Sequence, residues 1–305
     1  MRMTSRRRLI AGNWKMNGRL ESAAALGAGL IEGLANRQDL QALDWLICPP
    51  FVHLKTLGDL LEQSRQKIPG LAMKLGAQDV SAAEDGAYTG EISAEMLRDC
   101  GCSAVLIGHS ERRQYFSESE TLIAQKLKRA IDAGFLAVLC VGESEQERGK
   151  GLTRAVIDKQ IELLLNLWPV SSHQAALGPC ATQDLQAQRG VHMALANHQP
   201  GVGDTNARAE WASRLVIAYE PVWAIGTGKS ASPDDAQQVH AFIRDRLDQA
   251  GWPSSSIRIL YGGSVKADNA QALFGMPDVD GALVGGASLQ ATSFLDIGQA
   301  AVRHR

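Results

Sequence analysis

The feature that most restricts this chain is an eightfold alternation of short apolar runs with longer amphipathic ones. Strand-length runs fall at 9–15, 45–49, 73–78, 104–109, 135–141, 215–220, 257–261 and 281–284. Between most of them apolar residues recur at helical spacing. Leu122, Ile123, Leu127, Ala130 and Ile131 share one face, as do Val156, Ile157, Ile161, Leu164 and Trp168, and again Val239, Ile243 and Leu247. Repeated strand–helix units dictate a parallel sheet with right-handed crossovers, covered by helices. Eight units in roughly 250 core residues predict an α/β fold, a closed (β/α)8 barrel filling a single domain over 1–305. An open doubly wound sheet is the rival. It normally carries G-x-G-x-x-G after the first strand, where this chain has Ala11-Gly12-Asn13-Trp14-Lys15.

Punctuation along the chain fits that rhythm. Ser117-Glu118-Ser119-Glu120 reads as a capping box, and Ser232-Pro233-Asp234-Asp235 places Pro at the first helical position with acids behind it. Gly101 and Gly134 stand where helices stop before the next strand. One stretch breaks the alternation. Residues 169–212 are rich in Gln, Ala, His, Gly and Ser without a sustained period, and read as an irregular insertion between the fifth helical run and the sixth strand. A segment that follows a helix and precedes a strand hangs from the N-terminal face of a barrel, away from its chemistry.

Composition bounds the function. A net charge of -2 argues against a nucleic-acid or anionic-membrane binder, and no apolar run approaches the length of a membrane span. The basic residues of 1–7 lack the apolar run and cleavage site of a signal peptide and read as a short solvated tail. Five scattered cysteines offer no disulfide framework and suit a reducing cytoplasm. Cys100-Gly101-Cys102 has no second pair at zinc spacing, so two small residues at a helix end is the favoured reading. His173, Cys180, His192 and His198 match no metal site by spacing. No metal and no cofactor are expected.

Catalytic groups of a barrel gather at the C-terminal ends of its strands. There the sequence places Asn13 and Lys15, then His109 with Glu111, then Glu220, then Gly262-Gly263-Ser264, then Gly285-Gly286. Glycine turns after the last two strands let backbone N–H groups approach an anion closely, which suits a phosphate. Pro221 ends the sixth strand, and the following Val222-Trp223-Ala224-Ile225-Gly226-Thr227-Gly228-Lys229 carries apolar residues between glycines, as a lid that excludes water would.

Together these strings resemble the triosephosphate isomerase family: Ala11-Gly12-Asn13-Trp14-Lys15-Met16-Asn17, Gly108-His109-Ser110-Glu111-Arg112-Arg113, the eleven residues from Ala218 to Gly228, Tyr261-Gly262-Gly263-Ser264-Val265 and Gly285-Gly286-Ala287-Ser288-Leu289. The likeness runs from about residue 8 to the C-terminus, the 169–212 stretch excepted. It implies a TIM barrel that interconverts dihydroxyacetone phosphate and D-glyceraldehyde 3-phosphate through an enediolate, in glycolysis and gluconeogenesis. It also implies Glu220 as the carbon base, His109 as a neutral imidazole that polarises the carbonyl, and Lys15 as the cation for the oxyanion and phosphate. Asn13, Gly226, Ser264, Gly285 and Gly286 complete substrate binding, with Glu111 as an accessory. A symmetric homodimer follows from the same resemblance, through the loop at 78–91, with Thr89 near Asn13 and Lys15 of the partner subunit and Glu91 against Arg112 of the partner subunit. Two rivals remain at this point. One is another phosphate-binding barrel enzyme, which needs a Schiff-base lysine or different acids. The other is an inactive barrel that binds a partner through the insertion.

Overall fold

The computed structural model describes residues 6–166, 204–225 and 230–302. In chain order these form β1 (Leu9–Asn13), α1 (Leu20–Asn36), β2 (Asp44–Cys48), α2 (Leu54–Lys67), β3 (Met73–Ala77), α3 (Ala94–Asp99), β4 (Ala104–Ile107), α4 (Ser110–Tyr115), α5 (Glu120–Asp132), β5 (Leu136–Val141), α6 (Glu145–Gly149), α7 (Thr153–Asn166), α8 (Asp204–Ser213), β6 (Leu215–Tyr219), α9 (Pro233–Gln249), β7 (Arg258–Tyr261), α10 (Ala267–Phe274), β8 (Gly281–Val284) and α11 (Ala291–Val302). All eight strands run parallel in sequential order, and β8 returns to β1 with Leu9 opposite Gly281 and Gly12 opposite Val284. The predicted (β/α)8 barrel is the observed fold.

Two layers of core explain why these strands are apolar on both sides. Alternate residues such as Leu9, Ala11, Leu46, Leu106, Val138 and Val216 fill the barrel interior. The intervening Ile10, Trp45, Ile47, Val105, Ile217 and Ile259 face the helices. Period-two alternation turns one residue of each pair inward and the other outward, so neither set reaches water. Ile123, Leu127, Ala130 and Ile131 of α5 and Val239, Ile243 and Leu247 of α9 are buried as their spacing predicts. The Ile, Leu and Val side chains among them each contribute about 1.5–3 kcal/mol when fully buried. Trp168, the last of the predicted α7 face, lies outside the described residues.

Parity also aims the functional residues. Continuing the inward set past Leu9 and Ala11 reaches Asn13, and past Val216 and Ala218 reaches Glu220. Strands 1 and 4 stop two residues earlier than their apolar runs suggest, at Asn13 and Ile107. The cause is backbone conformation. Lys15 has φ 51 and Gly108 has φ 67, both in the left-handed region that ends an extended strand.

Three local expectations are corrected. The cap of α5 is Ser119, whose side chain accepts from the Leu122 amide, not Ser117, which sits at φ 53. Glu120, the acid assigned to that capping box, pairs instead with Arg113 at 2.5 Å. The cap of α9 is as read, with Ser232 and Asp235 bonded reciprocally and Pro233 at the first helical position. The tail is not wholly solvated. Arg6 reaches Asp280 at 2.6 Å and Arg7 reaches Asp44 at 2.8 Å, because the barrel's N-terminal rim offers carboxylates there. Of the stretch predicted to be irregular over 169–212, residues up to 203 lie outside the described residues, and the remainder belongs to α8. That helix is built on Ala, Arg and Glu, strong helix formers whose small apolar members give little contrast between faces, so periodicity missed it. Trp211 and Ala212 bury its C-terminal turn.

Candidate active site

A cavity of about 410 Å³ opens at the C-terminal end of the barrel, lined by Asn13, Lys15, His109, Glu220, Ser264, Gly285 and Gly286 among others. Seven of the eight predicted site residues therefore meet in one place. The eighth, Gly226, lies outside the described residues.

His109 caps α4. Its Nδ1 accepts the Glu111 amide at 3.2 Å, and its Nε2 lies 3.0 Å from Oε1 of Glu220. An Nδ1 that accepts leaves the proton on Nε2, so the ring is a neutral imidazole donating towards the carboxylate. Burial pushes this imidazole towards neutrality. The facing carboxylates of Glu220 and Glu111 pull the other way and raise it on balance. That rise belongs to the pair, and the helix amide on Nδ1 opposes it, since a protonated Nδ1 would lose its donor.

Glu220 is 2% exposed. Its Oε2 accepts the Ser110 amide at 3.1 Å, so the carboxylate sits at the start of α4. Burial alone would push it up. His109, the Ser110 amide and Lys15 together hold it below the usual glutamate value, and it is ionised at neutral pH. Close approach around it requires glycine. A Cβ at Gly142 would fall 1.7 Å from the Glu220 carbonyl oxygen, and one at Gly262 would fall 2.8 Å from Glu220 Cγ.

Lys15 is positioned from three sides. Its amide donates to Asn13 Oδ1 at 3.0 Å, its carbonyl accepts from Gln78 at 2.8 Å, and its Nζ pairs with Glu111 at 2.5 Å. Gln78 also donates to the Cys48 carbonyl at 2.9 Å, tying the β1 and β2 ends together.

Sequence reasoning missed three groups here. Lys266 lines the cavity just before α10, and its only signal was its place directly after Ser264-Val265. Glu143, fully buried beyond β5, accepts from Tyr219 at 3.1 Å and from Trp223 at 2.9 Å. Arg148 lies over the Trp223 ring at 4.3 Å and pairs with Asp235 at 3.3 Å. A carboxylate immediately past a strand end, the same signal as for Glu220, marked Glu143. These contacts anchor residues 222–225, while the Ala231 amide donates to Tyr261 at 3.1 Å. Of the stretch read as a lid, 226–229 lie outside the described residues.

The reading of Cys100-Gly101-Cys102 as small residues at a helix end holds. Cys100 and Cys102 flank the end of α3, with Gly101 at φ 86 between them, and burial pushes the Cys102 thiol up to about 12. Among the described residues no group of His, Cys, Asp and Glu is arranged to hold a metal ion. His173, Cys180, His192 and His198 lie outside them.

Known proteins resemble nearly the whole chain. A family model described as triosephosphate isomerase matches residues 8–179 and 179–301. The triosephosphate isomerase of Hahella chejuensis is 42% identical over 300 residues, covering 97% of this chain and 99% of that protein. Those of Shewanella oneidensis and Shewanella denitrificans are each 40% identical over 296 residues, covering 97% of both chains.

Proposed function

The chain belongs to the triosephosphate isomerase family, and from that premise we propose how its cavity divides the work of the reaction. The reaction is the interconversion of dihydroxyacetone phosphate and D-glyceraldehyde 3-phosphate. Glu220 takes the proton from the carbon beside the carbonyl, leaving an enediolate, and returns it to the neighbouring carbon. No electron leaves the substrate, since the oxidation at one carbon is the reduction at the next. The observation that carries this reading is the buried pair of Glu220 and His109 at 3.0 Å, with the imidazole tautomer set by the Glu111 amide.

Both carboxylate oxygens of Glu220 are engaged, by His109 and by Ser110, so the carboxylate turns from these donors to reach carbon. The same movement frees Nε2–H of His109 for the substrate oxygen. A neutral donor suits this task, because its proton affinity lies near that of an enediolate, and it shuttles between the two oxygens without trapping either. Desolvation in the closed-off cavity then raises the basicity of Glu220 once its partners have left. Lys15 supplies the positive charge for the developing oxyanion, having exchanged Glu111 for substrate. Asn13 holds its backbone. Ser264, Gly285, Gly286 and Gly226 receive the phosphate through backbone N–H groups.

We further assign a homodimer through the 78–91 loop. Its tip projects, with Tyr88 55% exposed, and Met16 beside the cavity loop is 95% exposed. Large apolar side chains so placed suit burial against a second copy. The described cysteines are free thiols, and no helix among the described residues is long and apolar enough to cross a membrane, which supports a cytoplasmic location. A coupled assay without added metal or cofactor tests the central reading. Purified protein should turn over glyceraldehyde 3-phosphate, and Glu220→Gln should not. A folded, phosphate-binding protein with no turnover overturns it.

A further inference from the structure

Within this proposed reading, the charge balance of the cavity singles out a residue that the reaction itself does not use. Among the described residues the ionised side chains lining the cavity are Lys15, Lys266 and Glu220, one positive charge in excess. Glu111 cancels that excess, because its carboxylate is paired with Lys15 at 2.5 Å. Without Lys266 the described side chains of the site would sum to a net negative charge, facing a phosphate ester that is close to dianionic at neutral pH. The position of Lys266 favours the phosphate end. It directly precedes α10 and follows Ser264-Val265, the loop that lines the cavity together with Gly285 and Gly286.

Its surroundings leave the ammonium available. Lys266 is exposed and forms no ion pair among the described residues, in contrast to Lys15. What fixes it is backbone. Its amide donates to Asn269 at 2.9 Å, and Asn269 donates back to the Ser264 carbonyl at 3.0 Å, so the loop and the helix start hold one shape. We infer that Lys266 is a specificity-determining residue for substrate capture: its charge draws the phosphate dianion into the cavity and takes no part in the proton transfer.

The test is steady-state kinetics of Lys266→Met and Lys266→Arg at low and at physiological ionic strength, with inorganic phosphate as competitive inhibitor. Lys266→Met should keep kcat within about twofold, while KM and the phosphate inhibition constant rise about three- to tenfold at low salt. The gap should narrow as salt screens the charge, and Lys266→Arg should restore wild-type values. Unchanged KM and unchanged salt dependence in Lys266→Met overturn the inference, as does a collapse of kcat in the folded variant. Wild-type protein without turnover would instead overturn the isomerase reading on which the inference rests, so the two failures are distinct.

Discussion

The two ends of the barrel are both rich in buried charge, yet they use it in opposite ways. At the N-terminal rim the charges are saturated. Asp280 accepts from Arg6, Arg244 and the Ile259 amide at 2.6, 2.8 and 2.9 Å. Arg244 also holds Asp278 at 2.6 Å, and Asp44 is shared between Arg7 and Arg258. At the C-terminal rim the partners are provisional. Glu220 rests on His109 and Ser110, and Lys15 rests on Glu111, each pair one that substrate would displace in the proposed reaction. One end is built so that nothing exchanges, the other so that everything does. Removing a charge should therefore cost stability at the first rim and turnover at the second.

The sharpest break between them is Glu220→Gln. Loss of a general base removes about two to four orders of magnitude in kcat. Thermal unfolding should stay near wild type, because the amide can still accept from Ser110; a large fall in Tm would place Glu220 with the structural charges. Asp280→Ala probes the opposite end. It removes the carboxylate that accepts from Arg6, Arg244 and the Ile259 amide and leaves Arg244 with Asp278, and removal of one partner from a buried pair costs about 3–5 kcal/mol. Denaturant titration should show that loss, while kcat per folded molecule stays within about twofold. A kcat that falls with stability would mean the two rims are coupled.

His240 gives the saturated rim a pH signature. Its Nδ1 lies 3.0 Å from the Asp278 carbonyl, and burial lowers its pKa to about 4. The unfolded chain takes up a proton near pH 6.5, the folded one only near 4, so the unfolded state binds more protons in between. Stability is thus complete above about 6.5 and declines as pH falls towards 4, by about 3 kcal/mol at most. Tm measured across this window should fall less steeply for His240→Gln than for wild type; equal slopes would remove His240 from the account. The smallest effect is expected from shortening the 170–202 stretch. In sequence it joins the end of α7 to the start of α8 ahead of β6, apart from every residue that lines the cavity. Its replacement by a short linker should leave kcat within about twofold, and a large loss in a folded protein would tie the stretch to the proposed site.

Much of this was legible in the sequence because barrels repeat. Period-two strands and period-3.6 helices repeat unit after unit, and the inward parity that runs through Val216 and Ala218 also aims Glu220. The cavity was legible because its residues cluster immediately past strand ends. What stayed hidden depends on distance in the chain. Arg6 meets Asp280 and Lys15 meets Glu111 across 274 and 96 residues, and nothing local announces either pair. Short helices such as α4 and α6 were missed for another reason. At six and five residues they are too brief to display a face, and caps such as Ser144 with Glu147 hold them in place of periodicity.

Lys15 stands at φ 51, a conformation that disfavours any side chain with a Cβ by about 1–2 kcal/mol. Glycine would fit there without strain and would lack the ammonium. Relief of this strain by glycine would come at the expense of the charge that the proposed reaction assigns to this position. The loop therefore carries a local cost in stability at a position to which the proposed reaction gives a cation.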